Sequence, residues 1–136
     1  MGIFQSIAEL FYSRPQVQFS LSIIGFHDAG KTTIVEKMKL TGGDKNAEPE
    51  MMATTPTIGC NMEEIHVNNL SIKMWDLSGQ EKLRKTWKIY YEAVNGIIFV
   101  IDASNKDAMP DVRDTLHQVI TETADLKLPI LIFANK

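Results

Sequence analysis

The chain has a single cysteine, Cys60, so it cannot close an internal disulfide, and a reducing compartment is the default. No apolar stretch approaches the roughly 20 residues that a membrane-spanning helix requires. Cations are not in excess: 14 Lys and Arg against 17 Asp and Glu give a net charge of −3, which removes the electrostatic case for nucleic acid as a partner. There is no internal repeat and no low-complexity tract. What remains is an ordinary globular composition, 44% apolar and 23% charged, over 136 residues, a length that suits one domain around one hydrophobic core.

The first residues lack charge of one sign altogether: residues 2–13 contain no Lys or Arg. Met1-Gly2-Ile3-Phe4-Gln5-Ser6 fits the pattern for myristoylation of Gly2 after removal of Met1. Ile3, Phe4, Ile7, Leu10 and Phe11 recur at helical spacing, which predicts an amphipathic helix over residues 1–14, ended by Arg14-Pro15. Without cations such a helix meets a bilayer by apolar insertion. One myristoyl chain binds membranes with K of only about 10⁴ M⁻¹, so the stripe would be the second signal that anchoring needs. The plainer alternative is a helix that packs on its own domain.

Beyond it, residues 15–136 read as one α/β domain. Val17 to Ile24 alternates and then turns apolar, as a central strand does. Lys31 to Leu40 has a helical period with Ile34, Val35 and Met38 on one face. Thr41 to Thr55 is polar and rich in turn residues, and predicts a mobile loop. Met62 to Val67, Asn68-Asn69 and Leu70 to Trp75 read as a β-hairpin. Leu83 to Val94 carries aromatic residues at helical spacing, and Gly96 to Asp102 is a near-continuous apolar run of the kind found in buried parallel strands. Met109 to Ile120 is amphipathic, with Pro110 acceptable in the first turn, and P-I-L-I-F-A-N-K closes as a last apolar strand. Strands alternating with helices predict an α/β fold with a mostly parallel sheet.

Two loops carry chemistry. G-F-H-D-A-G-K-T, Gly25 to Thr32, matches G-x-x-x-x-G-K-[S/T] and stands between a strand and a helix. Gly25 and Gly30 permit turns that aim N–H groups at phosphate oxygens, Lys31 neutralises outer phosphates, and Thr32 offers a hydroxyl to Mg²⁺. Asp28, Ala29 and Thr33 complete the expected phosphate cradle. W-D-L-S-G-Q, Trp75 to Gln80, puts Asp76 at a strand end where a carboxylate can hold a metal-bound water. Gly79 then suits backbone approach to a γ-phosphate, and Gln80 suits orientation of an attacking water.

With P-T-I-G (Pro56 to Gly59), W-D-x-x-G-Q-x-K-x-R-x-x-W and the final Asn135-Lys136, the sequence resembles the Arf and Arf-like small GTPases of the Ras superfamily, from Gly2 onward. The resemblance implies a P-loop NTPase with the small G-protein fold that binds GTP, GDP and Mg²⁺ and hydrolyses GTP slowly. Thr57 resembles the first-switch threonine that joins Thr32 at the metal. Gln80 resembles the catalytic glutamine of the second switch, and Asn135 and Lys136 resemble the start of the base-reading N-K-x-D motif. It also implies a hairpin that shifts with GTP and evicts the N-terminal helix onto a membrane surface. The partners implied are an exchange factor, a GTPase-activating protein and an effector or coat protein at the switches. The expected place is the cytoplasm, with reversible association to Golgi, endomembrane or the cilium base. Ser78 leans the match toward the ciliary branch that recruits the Bardet–Biedl coat, because D-x-S-G-Q, F-V-I-D-A-S and the P-I-L-x-F-A-N-K ending are similar there.

The sequence also departs from that pattern. His27 stands where the family usually has Asp, and a solvent-facing imidazole is the expectation. Cys60 replaces a phenylalanine that forms an aromatic trio with the matches of Trp75 and Tyr90. His66 and His117 have no metal-ligating partners at useful spacing. The chain stops before the Asp of N-K-x-D, which leads us to expect a fragment in which the last strand and final helices of the fold are missing and the strand before them is left uncovered. Two other readings follow from these departures: a non-hydrolysing binding module with weak nucleotide affinity, and a P-loop ATPase or small kinase. The pairing of P-T-I-G with D-x-S-G-Q opposes the second of these.

Overall fold

The computed structural model describes residues 17–41, 59–67 and 69–136. The N-terminal segment with Gly2, the loop after Thr41, Thr57 and Asn68 lie outside the described residues. Within them, five strands form one sheet: β1 (Val17–Gly25), β2 (Cys60–Val67), β3 (Leu70–Leu77), β4 (Gly96–Asp102) and β5 (Ile130–Asn135), in the order β2-β3-β1-β4-β5. β1 pairs in parallel with both β3 and β4, β4 pairs in parallel with β5, and β2 is the antiparallel member. The expected mostly parallel α/β sheet is therefore the observed one.

Both faces of the central strands are covered, which explains their unbroken apolar runs. Successive residues of one strand point to opposite faces, so neighbours serve different cores. Ile24 and Phe99 join Leu77, Trp87, Tyr91, Val94, Ile97, Val112 and Val119 on the side of helix α3 (Met109–Thr123). Ile23 and Val100 join Ala29, Val35, Ile65 and Met74 beneath helix α1 (Lys31–Thr41). Phe99, with no exposed surface, contributes about 2–3 kcal/mol by leaving water. The outer strand is different. On β5, Leu131, Ile132 and Phe133 are 58%, 51% and 41% exposed, so the expected uncovered last strand is found.

One element departs from expectation. The segment from Leu83 to Val94 is not a continuous helix. A four-residue helix, α2 (Glu81–Arg84), is followed by two 3₁₀ turns at Trp87–Ile89 and Tyr91–Ala93. The hydroxyl of Thr86 donates to the Leu83 carbonyl at 2.6 Å, and the amides of Thr86, Tyr90 and Ala93 bond three residues back instead of four. Thr, Trp, Ile and Tyr are poor helix formers, and local hydroxyl bonds compete with the helical ladder. Trp87 and Tyr91 still face the same core, which is why their spacing imitates a helix.

The topology fixes where a site can form. Chain order runs from β1 to β3 on one side and then to β4 on the other, so the carboxyl end of β1 lies at a topological switch point. Gly25, Asp76, Asp102 and Asn135, at the ends of four parallel strands, converge on one edge.

Candidate functional site

The phosphate loop begins where β1 ends. Gly25 pairs with Val100, and the chain then wraps back so that Ala29 N–H donates to the Phe26 carbonyl at 3.2 Å. Asp28 has φ 62° and Gly30 φ 97°. At Gly30 the positive φ favours glycine, and a Cβ there would also displace the Asn135 side-chain amide. α1 starts at Lys31, with Ile34 N–H donating to the Gly30 carbonyl at 3.0 Å; Thr32 and Thr33 lie in its first turn, half-buried. A helix N-terminus behind a glycine-rich loop presents amides to an anion.

Lys31 is 6% exposed and folds over the loop, its Nζ donating to the Phe26 carbonyl at 2.9 Å. Burial lowers the pKa of its ammonium, partly offset by nearby Asp76 and reinforced by Arg84. The Thr32 hydroxyl donates to Asp76 Oδ2 at 2.6 Å, and Asp76 is buried at 2% exposure. These two hard oxygen donors, a hydroxyl on the phosphate loop side and a carboxylate on β3, suit Mg²⁺ held mainly by water and phosphate. No group of three or more His, Cys, Asp and Glu placed to hold a metal ion occurs among the described residues.

The structure brings the second loop directly onto the first. Gly79 is buried, and its carbonyl accepts the His27 N–H at 3.1 Å. A Cβ on Gly79 would lie 2.5 Å from three backbone atoms, Gly25 O, His27 N and Phe26 C. Gln80 follows at the start of α2, half-buried, its N–H 3.3 Å from Ser78 Oγ. The His27 side chain is 47% exposed and turns toward Asp28, with Nε2 3.3 Å from Oδ2. It also lines a small cleft with Arg84, Asp102 and Asn105, so it is only half in solvent.

Asn135 and Lys136 grip the same loop from the other side. Asn135 Nδ2 donates to the Ala29 carbonyl at 2.9 Å, and Lys136 Nζ donates to the Asp28 carbonyl at 2.5 Å and to Asp102 Oδ2 at 3.2 Å. Ser104 N–H and its hydroxyl both bond Asp102 Oδ1, which together with Lys136 hold that carboxyl below the usual range. Sequence reasoning passed over Asp102, Phe26 and Ser78 as site elements; F-V-I-D, a strand ending on a carboxylate at the switch-point edge, was the signal for the first.

The Trp75 and Tyr90 rings pack with centroids 5.7 Å apart, and the Cys60 side chain hydrogen-bonds with that of Tyr90. Burial raises the Cys60 thiol pKa, opposed by its hydrogen bond with Tyr90. Because the thiolate is the reactive form, iodoacetamide at mildly alkaline pH is expected to label the folded chain about tenfold more slowly than the urea-unfolded chain. Equal rates would mean that burial does not hold the thiol in its protonated form.

Residues 4–136 match the sequence profile of the Arf, or ADP-ribosylation factor, family. Among solved structures, the Arl6 BBS3 small GTPase of Trypanosoma brucei, with the nucleotide analogue GppNp bound, superposes with a TM-score of 0.68 at 20% identity, over 88% of this chain and 87% of that one. A structure of the mammalian SRP receptor gives the same TM-score at 25% identity, over 83% of this chain and 60% of that one. These likenesses carry the fold; the profile, running almost end to end through the phosphate loop and the W-D-L-S-G-Q segment, carries the family. The chain belongs to the ADP-ribosylation factor family of small GTPases.

Proposed function

We propose that this chain is a GTP-hydrolysing switch whose nucleotide state governs membrane association and effector recruitment in vesicle or ciliary trafficking. The observation that supports it most is the direct contact between the two loops: the Gly79 peptide is packed on the phosphate loop, one bond from His27. A third phosphate would meet both loops at once, whereas a diphosphate would meet chiefly the first. That difference in contacts is what a nucleotide switch requires.

The roles then follow from position. The amides of the loop from Gly25 to Gly30 and the Lys31 ammonium hold phosphate oxygens, Asp28, Ala29 and Thr33 shape that cradle, and Thr32 with Asp76 would hold Mg²⁺, joined by Thr57. When bound, the ion would neutralise charge shared between the outer phosphates. Gln80 orients water at the γ-phosphate, and Asn135 reads guanine while its amide ties the base side to the Ala29 carbonyl. Lys136 braces the loop through Asp28 and Asp102. The segment around Gly2 would supply the reversible lipid anchor, with an exchange factor, a GTPase-activating protein and an effector or coat protein acting at the switches. No helix among the described residues is long and apolar enough to cross a membrane. Ser78 keeps the lean toward the ciliary branch.

The test is a fluorescent guanine nucleotide titrated into the Mg²⁺-supplied chain and competed separately by GTP, GDP and ATP. Displacement by GTP and GDP at concentrations at least about 10²-fold below ATP is expected, since a site built to bond a base rejects one that leaves its polar groups unpaired. Equal competition by ATP would end the guanine reading, and binding without turnover would favour the non-hydrolysing module.

A further inference from the structure

The Arg of W-D-x-x-G-Q-x-K-x-R-x-x-W, which is Arg84, has no part in the roles above. Its guanidinium carbon lies 3.6 Å from the centroid of the Phe26 ring, on the phosphate loop. Its Nε donates to the Gly79 carbonyl at 3.1 Å, the same oxygen that accepts the His27 N–H at 3.1 Å. A carbonyl oxygen has two acceptor sites, and here one is filled from the phosphate loop and the other from α2.

Peptide planarity turns these bonds into an orientation. In a trans peptide the N–H points opposite to the C=O. The peptide joining Gly79 to Gln80 has its carbonyl held by His27 and Arg84 and its N–H directed to Ser78 Oγ, 3.3 Å away. The preceding peptide, joining Ser78 to Gly79, has its carbonyl held by Trp87 Nε1 at 2.9 Å, so the Gly79 N–H is turned away from Trp87. Trp87 is a core residue at 2% exposure and fixes this peptide from inside. Arg84 fixes the next from outside, with Phe26 as its platform. A stacked, planar guanidinium loses less freedom per bond than a lysine would.

We propose that Arg84 is a positioning residue that clamps the Gly79–Gln80 peptide to the phosphate loop and thereby sets the preference of the site for a triphosphate over a diphosphate. This rests on the nucleotide-switch reading. Two explanations must be separated, because Arg84 also adds positive field near Lys31. Lysine keeps the charge but lacks the Nε donor and the flat face, so charge and clamp part company in Arg84→Lys.

The experiment measures the affinities of GDP and a non-hydrolysable GTP analogue, and single-turnover GTP hydrolysis, for the unaltered chain and for Arg84→Ala, Arg84→Lys and Phe26→Leu. Loss of one charge-assisted bond that matters only with the third phosphate should lower analogue affinity and hydrolysis about tenfold in both Arg84 variants. GDP affinity should stay within about twofold, since GDP does not engage Gly79. Phe26→Leu removes the platform but leaves the arginine and its bond, and should move the ratio the same way by about threefold; it decides the matter if the Arg84 variants do not fold. Full rescue by lysine, or an equal loss of both nucleotides, or an unchanged ratio in all three variants, overturns the clamp. If the unaltered chain binds neither nucleotide, the switch reading itself has failed, and the clamp with it.

Discussion

Replacing Lys31 by methionine should lower guanine-nucleotide affinity by about 10²–10⁴-fold while leaving the ligand-free fold at least as stable as before. The first half follows from two phosphates losing a charge-assisted partner that the short amides of the loop cannot replace. The second follows from burial. The ammonium is 6% exposed, bonded to the Phe26 carbonyl, and its pKa is pulled down by desolvation. Methionine fills a similar volume without a charge to desolvate, and the Phe26 carbonyl keeps the Ala29 N–H as a donor.

The sign can be checked against pH. A lysine whose folded pKa lies below its unfolded value of 10.5 holds fewer protons in the folded state. Over the window between those two values, stability of the unaltered chain should therefore rise with pH, and below it the burial penalty is fully present. Lys31→Met has no such rise. Calorimetry of both ligand-free proteins from about pH 8 to about pH 10.5 measures it directly. A variant that loses more than about 1 kcal/mol in the absence of nucleotide would show that Lys31 contributes to the fold and not only to phosphate binding. The tension is the usual one at a binding site: a group placed for the ligand is a burden without it.

The contrast between Lys31 and the rest of the molecule shows which features a sequence exposes. Gly25 to Thr32 could be read from residue types alone, because each residue does a local task and the spacing is fixed by one turn and one helix start. The apolar runs of β1 and β4 were equally legible, since burial on both faces removes any polar alternation. What connects the loops was not. Asn135 meets the Ala29 carbonyl, and Trp87 meets the Ser78 carbonyl, through bonds between a side chain and a distant backbone group. No periodicity records such a pair; it exists only after β5 has docked beside β4 and the Trp87 turn has packed on the sheet. The stretch from Leu83 to Val94 misled for a related reason. A four-residue interval between Trp87 and Tyr91 says that both face the core, but two 3₁₀ turns satisfy that as well as a helix does. His27 was expected to face solvent, and its backbone turned out to matter more than its ring, as a donor to the Gly79 carbonyl. Arg84 and Trp87 were visible as letters of a motif; their work, holding two successive peptides in fixed planes, is a property of the fold.

That contact also sets the largest structural effect expected from adding a single carbon. Gly79→Ala places a methyl group 2.5 Å from Gly25 O, His27 N and Phe26 C, closer than carbon can approach any of them. All three are backbone atoms of the phosphate loop, so no flexible side chain can move aside. Either the second loop lifts away or the phosphate loop deforms. Lifting is expected, because the phosphate loop is pinned on its far side by Asn135 and Lys136, whereas the ties from Gly79 to that loop are the His27 N–H bond and, through its stack on Phe26, Arg84. Overpacking against rigid backbone destabilises by about 2–3 kcal/mol, and thermal unfolding of the ligand-free chain should show it. The loss should be unequal between ligands. A diphosphate bound mainly by the first loop would keep its affinity within about tenfold, whereas a triphosphate that needs the Gly79 amide would lose about 10²-fold or more. Isothermal titration of GDP and a non-hydrolysable GTP analogue distinguishes this from simple unfolding, in which both would fall together. An alanine variant that binds the analogue as well as the glycine chain does would mean that the two loops separate on nucleotide binding, and that their contact belongs to the ligand-free state alone.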